Sequence, residues 1–409
     1  MNKNVVHYRI RRLLAIIIGI VFLLAGLFKL LDPVGAGLVV EEYFRFLHLG
    51  FLMPAAKATG VTLALGESLI GAALISGIWR KPVAVIATVL IVFFTILTLF
   101  LAVFNPNMDC GCFGEVIHLT NLQTFLKNLI LLALALAAFY PYSKFGENRK
   151  RKNVSFFIVA ASIIAFMVYS LKTIPLVDYT AFTPGSELLS SKVEGSDSVE
   201  DGYTATFIYE KNGQEGAFTL DKLPDSTWTF VRTETIKING PKVEDNVPIL
   251  SFSNASGEYA DEMASKGNVL ALSVYDVKAL KGDAWTRLSE VVEGAKAAGF
   301  TPLLLSASGR DVLDSMEVII PEVREKLLPV TYMADRKTLV SMNRSNGGAT
   351  WFNDGQLIQK FAYGNLPSDD DILAMTGDDP NEIMLSSSSK GRLRFQGFIL
   401  DALAFLLLL

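Results

Sequence analysis

The sequence predicts an α-helical membrane bundle with five spans, followed by an exported α/β domain, on three observations. Apolar residues make up 51% of the 409 and concentrate in long, nearly charge-free runs at the front. Lys and Arg fall in alternate connections between those runs. After the last run the pattern changes to strands and helices in alternation.

A helix needs roughly 20 apolar residues to cross the hydrocarbon core, with a range of about 17 to 25. Leu13–Leu31, Ala55–Ile78, Val83–Phe104, Phe125–Pro141 and Val154–Ile174 each meet that requirement. Basic residues precede the first run, as they would in a signal peptide. That run is long for an h-region, no small-residue cleavage pattern follows it, and further spans do. It reads as a retained span.

Orientation follows from the basic residues of the short connections. Lys3, Arg9, Arg11 and Arg12 precede the first span, Arg80 and Lys81 fill the second connection, and Lys144, Arg149, Lys150, Arg151 and Lys152 the fourth. The first connection sets Asp32, Glu41 and Glu42 against Arg45, and the third carries Asp109 and Glu115. The expected setting is a bacterial inner (plasma) membrane, with the N-terminus cytoplasmic and the C-terminal domain periplasmic. Disulfides persist in that compartment. Within the net charge of −4 the positive part lies at the inner face. The exported part is acidic, so no nucleic acid is expected as a partner.

The chain has two cysteines, Cys110 and Cys112, in Asp109-Cys110-Gly111-Cys112-Phe113-Gly114 on the third, outward connection. They are the expected catalytic pair, cycling between dithiol and disulfide. The competing reading is a static disulfide or two idle thiols in a tight turn. A C-x-C bridge closes a small strained ring, and strained, exposed bridges are the labile kind. Asp109 and Glu115 weigh the other way, because nearby carboxylates disfavour a thiolate. A metal site with His118 falls a ligand short, so no metal is expected.

Ionisable groups inside a span are expensive and normally need a partner. Glu67 lies near the middle of the second span, and Lys29 near the outer end of the first, one turn before Asp32. Snorkelling to the interface is the favoured expectation for Lys29. Glu67 is too deep for that and is protonated, hydrogen-bonded in the bundle, or paired with Lys29. Asn128, beside Lys127 at the start of the fourth span, is a further bundle-facing candidate.

Phe28-Lys29-Leu30-Leu31-Asp32-Pro33, Glu67, and Cys110-Gly111-Cys112-Phe113-Gly114 ahead of Lys127-Asn128 together resemble the DoxX-like membrane proteins. Among these they resemble the methylamine-utilisation protein MauE family, over Arg9 to Tyr142. The resemblance implies a four-helix membrane bundle and a role in forming or handling disulfides of exported proteins, with Cys110 and Cys112 as the positions carried over. The wider architecture is similar to that of quinone-linked disulfide-forming enzymes, whose four-cysteine relay is absent here. No cofactor is evident in the residues themselves. A quinone would be reached through a partner.

Beyond Pro175 and a polar stretch to Gly202, Tyr203–Tyr209 alternates at the strand period, turns at Lys211-Asn212-Gly213 and returns through Ala217–Leu220. With Trp228–Val231 it reads as a β-rich connector. From Val247 the chain reads as a buried strand at Val269–Val274, an amphipathic helix at Trp285–Ala298 and a strand at Thr301–Ser306. A hairpin at Gly348–Phe352 and Leu357–Phe361 turns on Asn353-Asp354-Gly355-Gln356. That order resembles a thioredoxin-like domain, to about Met375. It departs from the family where a thiol belongs after the first core strand: Tyr275-Asp276-Val277-Lys278 has none, which suits a binding scaffold or a client-docking module. Asp369-Asp370-Asp371 reads as a helix N-cap and acidic first turn, Ser386–Ser389 as a flexible linker, and Phe398–Leu409 as an interfacial tail too short to span.

The expected domains are a four-helix DoxX/MauE-like membrane domain (1–142), a basic loop and fifth transmembrane helix (143–175), a β-rich exported connector (176–246), a thioredoxin-like domain (247–376) and a linker with apolar tail (377–409). The expected function is a thiol-redox accessory. Its partners would be exported proteins with thiols, the lipid bilayer and a membrane partner subunit. The alternative is a non-enzymatic anchor or assembly subunit with a structural disulfide; a membrane carrier using Glu67 is a third reading.

Overall fold

The computed structural model describes residues 3–106, 111–115, 119–142, 152–189, 203–211, 214–219, 229–237 and 247–409. The chain divides into two compact units, Met1–Tyr179 with Ser388–Leu409, and Thr180–Ser387.

The first unit is helical: α1 (Lys3–Leu31), α2 (Pro33–Phe46), α3 (Ala56–Ser76), α4 (Arg80–Phe104), α5 (Asn121–Phe139) and α6 (Asn153–Lys172). Among the described residues five helices are long and apolar enough to cross a membrane, Val6–Leu31, Gly50–Ser76, Arg80–Phe104, Asn121–Phe139 and Asn153–Lys172. They coincide with the five expected runs. The extra helix, α2, lies in the first connection. Asp32 caps it by accepting a hydrogen bond from Gly35 N at 2.9 Å, and Pro33 begins it, where a missing N–H costs nothing.

Without a hydrophobic drive between helices in lipid, small residues let the backbones approach. A Cβ at Gly26 would fall on Ser68 and Ala64 O of α3, and one at Gly60 would meet Ala36 O of α2 at 2.8 Å. These contacts hold α1 and α2 against α3. On α4, Val89, Phe93, Ile96, Phe100 and Val103 stay exposed, as expected of a face turned to lipid.

Three arginines close one end of the bundle. Arg11 Nε donates to Ala138 O at 2.7 Å at the C-terminal end of α5. Arg12 donates to Leu74 O at 2.6 Å and to Ile75 O near the end of α3. Arg80 Nη1 donates to Tyr8 Oη at 2.6 Å. Arg11 and Arg12 satisfy orphan carbonyls there and suit the negative ends of the α5 and α3 dipoles.

The second unit holds two sheets. β2 (Tyr203–Lys211), β3 (Gln214–Thr219) and β4 (Thr229–Lys237) form an antiparallel sheet in the order β3-β2-β4, in the expected connector. The larger sheet runs β10-β9-β6-β7-β8-β5, from β5 (Phe252–Ser253), β6 (Asn268–Val274), β7 (Thr301–Ser306), β8 (Thr331–Ala334), β9 (Gly348–Asn353) and β10 (Gln356–Phe361). β6, β7 and β8 are parallel neighbours, and β9–β10 is an antiparallel hairpin on β6. Asp354 and Gly355 both take positive φ at its turn, as the Asp-Gly pair predicts. α7 (Gly282–Ala297) connects β6 to β7, and its buried face of Trp285, Leu288 and Val292 covers the sheet. The short helices α8 (Arg310–Asp314), α9 (Pro321–Leu327) and α10 (Arg336–Met342) follow, then α11 (Asp369–Gly377).

Three expectations need correction. Ser386–Ser389 is not a linker but part of a 29-residue helix, α12 (Pro380–Leu408). The tail does not end as a free interfacial segment: Phe398 is buried beside Phe166, and Lys152 Nζ donates to Leu408 O at 3.0 Å. Apolar contact in the first unit outweighs the weak helix preference of four serines. The N-cap of α11 is Ser368, with the three aspartates in the first turn, because its hydroxyl accepts from Asp371 N while Asp371 accepts from Ser368 N.

Candidate functional site

α1, α2, α3, α4 and α5 converge on a cavity of about 190 Å³ within the first unit, lined mainly by apolar side chains. Its wall includes the polar side chains of Lys29, Tyr43, Thr59, Glu67, Thr98, Lys127, Asn128 and Cys112.

Lys29 does not snorkel. Its ammonium donates to both carboxylate oxygens of Glu67, at 2.8 and 2.7 Å, with side-chain exposures of 14% and 6%. Inward pairing prevails because a carboxylate at the depth of Glu67 has no route to water, while a neutralising cation lies within reach. The pair has no net charge, which weakens the carrier reading in which Glu67 alone moves a proton or ion. Lys29 Nζ also lies 5.9 Å from the centre of the Phe94 ring.

Asn128 faces the bundle as expected. Its Nδ2 donates to Phe94 O at 3.3 Å and to Thr98 Oγ1 at 3.1 Å, tying α5 to α4. Asp32 belongs to the cap of α2 and does not line the cavity.

The cysteine turn docks on the same wall. Gly111 sits at φ +56, where a side chain is strained, and a Cβ there would collide with Val39 of α2. Gly114, at φ +60, lies against the backbone at Phe28 and Lys29, and its N–H donates to Gly111 O at 3.2 Å. Between them Cys112 opens the short strand β1 (Cys112–Glu115) and lines the cavity. Cys110 and His118 lie outside the described residues, as does most of the basic fourth connection. The described residues hold no cluster of three or more metal-binding side chains.

Sequence reasoning missed α2, whose Val40 and Tyr43 line the cavity, and Thr98. A detectable signal was present: Thr95 and Thr98 place two hydroxyls one turn apart inside an apolar run.

Every described polar group of this wall falls within one stretch of chain. Residues 8–141 match the model of the family described as methylamine utilisation protein MauE. The MauE-like stretch is about a third of the chain, and with its apolar helices it makes the first unit a membrane domain. Residues 203–239, which include β2, β3 and β4, match a family described as a domain of unknown function, DUF8463. No curated protein and no solved structure matches the chain.

In the second unit the turn after β6 is closed by polar contacts. Asn346 Oδ1 accepts from Tyr275 N and Asp276 N, both at 3.0 Å, and Asn346 Nδ2 donates to Asp276 O at 2.7 Å. The loop therefore has a bound carboxamide where a thiol was sought.

Proposed function

We propose that this protein is an inner-membrane thiol-redox accessory that forms or handles disulfides of exported proteins through Cys110 and Cys112, in support of the methylamine utilisation named in the description of the matched family. The seat of the cysteine turn carries the reading: Gly111 is pressed on Val39, and Cys112 lines a cavity whose wall also holds Lys127. Cations near a thiol favour the thiolate, which is the attacking form. The gathering of Arg11, Arg12 and Arg80 at one end of the bundle supports a cytoplasmic N-terminus, which leaves the cysteine turn facing the periplasm.

In the forming direction a client thiolate attacks one sulfur of the Cys110–Cys112 bridge, the S–S bond breaks and a mixed disulfide forms. The client's second thiolate then displaces the protein sulfur, so two electrons pass to the pair and the client leaves oxidised. In the reverse direction the protein's second cysteine releases the client. The second unit would present clients as a thioredoxin-like scaffold without thiols. Its parallel β6-α7-β7 unit, the hairpin β9–β10 and the helix α11 that follows it support that reading.

Trapping tests the proposal. In cells carrying the Cys112→Ser chain, a mixed disulfide through Cys110 is expected on non-reducing gels. No trapped client, together with full function of the double serine variant, would overturn it in favour of an assembly subunit with a structural bridge.

A further inference from the structure

One stripe of α12 packs into the membrane domain. Phe395, Phe398, Ala402, Phe405, Leu406 and Leu409 recur at helical spacing and join the apolar core of the first unit. Phe398 meets Phe166 of α6 with ring centres 5.2 Å apart, and Leu408 O accepts from Lys152 Nζ, just before α6 begins. The last turn of α12 therefore lies at the start of α6, and the two helices run antiparallel. Ser388–Leu408, the part of α12 in the first unit, rises about 31 Å, close to the rise of about 30 Å for α6. That length covers a hydrocarbon core of about 30 Å. Arg392, Arg394 and Asp401 interrupt the apolar run, which hides the span from a reading by composition. Lys390, Arg392 and Arg394 sit at the end remote from Lys152, where their long stems let the charges reach the interface. The large unit ahead of them lifts the usual bias against exported cations.

The opposite face of α12 is exposed. Ile399, Leu400, Leu403 and Leu407 are apolar there and suit lipid. Among them stands Asp401, exposed and without a hydrogen bond or ion pair among the described residues. It comes seven residues before Leu408, about 10 Å in from that end, which is too deep for its short side chain to reach water. An ionisable group at such a depth calls for a partner. Gly397 and Ala404 lie one turn to either side of Asp401 on that face and are exposed as well. A Cβ at Gly397 would meet nothing within 4 Å, unlike those at Gly26 and Gly60, where neighbouring helices press in. Small residues at this spacing let a second helix backbone approach closely.

We infer that α12 is a sixth span, and that its face of Gly397, Asp401 and Ala404 docks a transmembrane helix of another protein carrying a Lys or Arg at the depth of Asp401. The cation neutralises the carboxylate, and the low dielectric of the hydrocarbon strengthens their attraction. The small residues above and below admit the partner's backbone. A symmetric second copy fits worse, because it would set Asp401 against its own twin, like charge against like. None of the three residues lines the bundle cavity. The docking is therefore independent of the thiol chemistry.

The test uses the full-length chain in lipid nanodiscs, with synthetic leucine–alanine spans of roughly 20 residues as probes. Energy transfer between fluorophores on chain and probe is the readout. A probe with one lysine a third of the way along should associate about tenfold more tightly than its all-apolar twin. Asp401→Leu should erase that preference, and Asp401→Lys should transfer it to a probe carrying an aspartate instead. Gly397→Leu should weaken association while leaving the melting of the chain unchanged, because the new side chain meets nothing in the chain itself. Reporter fusions in cells should place Leu409 on the same side of the membrane as Met1. Opposite sides for these two residues overturn the sixth span. Equal association of the two probes, or a preference that survives Asp401→Leu, overturns the docking face. Self-association of the parent chain that Asp401→Leu abolishes assigns the face to a second copy and overturns the partner chemistry. The double serine variant of Cys110 and Cys112 should bind the lysine probe as the parent does, so this docking and the thiol-exchange function fail separately.

Discussion

Lys29 Nζ stands 2.7 and 2.8 Å from the two carboxylate oxygens of Glu67, joining the C-terminal end of α1 to the middle of α3 inside an apolar bundle. Removing one charge of a buried pair strands the other, at a cost of about 3 to 5 kcal/mol, whereas replacing both with apolar residues is often nearly neutral. Lys29→Met and Glu67→Leu alone should therefore each lower the unfolding temperature markedly in detergent, and the double variant should recover most of the loss. A loss in the double variant equal to the sum of the two single losses would show that the pair does not act as a unit.

Gly111 and Val39 give a second test. Gly111→Ala introduces a side chain at φ +56, which costs roughly 1 to 2 kcal/mol, and drives its Cβ into Val39. The turn should lift from the wall, so that alkylation of Cys112 by a water-soluble maleimide speeds up severalfold. Adding Val39→Ala should restore part of the slow rate, because it removes the collision but leaves the backbone strain. An unchanged rate in Gly111→Ala would contradict the seating of the turn.

The cap of α11 predicts a pH dependence. Hydrogen bonds from the Ser368 hydroxyl and backbone N–H hold the Asp371 carboxyl below its usual range. A carboxyl depressed in the folded state stabilises it above the unfolded pKa, and that contribution is lost as pH falls through the folded value. Amide exchange in α11 of the full chain, corrected for intrinsic rates, should be protected at neutral pH and lose protection on acidification. Ser368→Ala should weaken the neutral-pH protection about fivefold and flatten the pH dependence. A pH dependence unchanged in Ser368→Ala would reject the coupling.

The spans and the strand-rich connector were legible because each depends on local pattern: an apolar run long enough for a bilayer, or alternation at the strand period. The pairing of Lys29 with Glu67 was one of several open readings, since 38 residues separate them in the chain. Helix α2 was hidden by its composition, in which Gly35, Gly37 and the carboxylates Glu41 and Glu42 look like a loop. Its packing on α3 depends on Gly60, and no local rule names that partner. The serines at 386–389 misled for the related reason that local preference is weak and burial of Phe398 is not.

Read alone, the chain establishes a membrane domain of five spans, two cysteines on one short connection, and an appended strand–helix region with no thiol of its own. Those conclusions follow from composition and period, which need no knowledge of neighbours. The folded arrangement brings Cys112, Lys29, Glu67 and Asn128 to one cavity. Which hydrogen bonds are made depends on how helices remote in sequence approach one another. Small residues on α1, α2 and α3 set that approach.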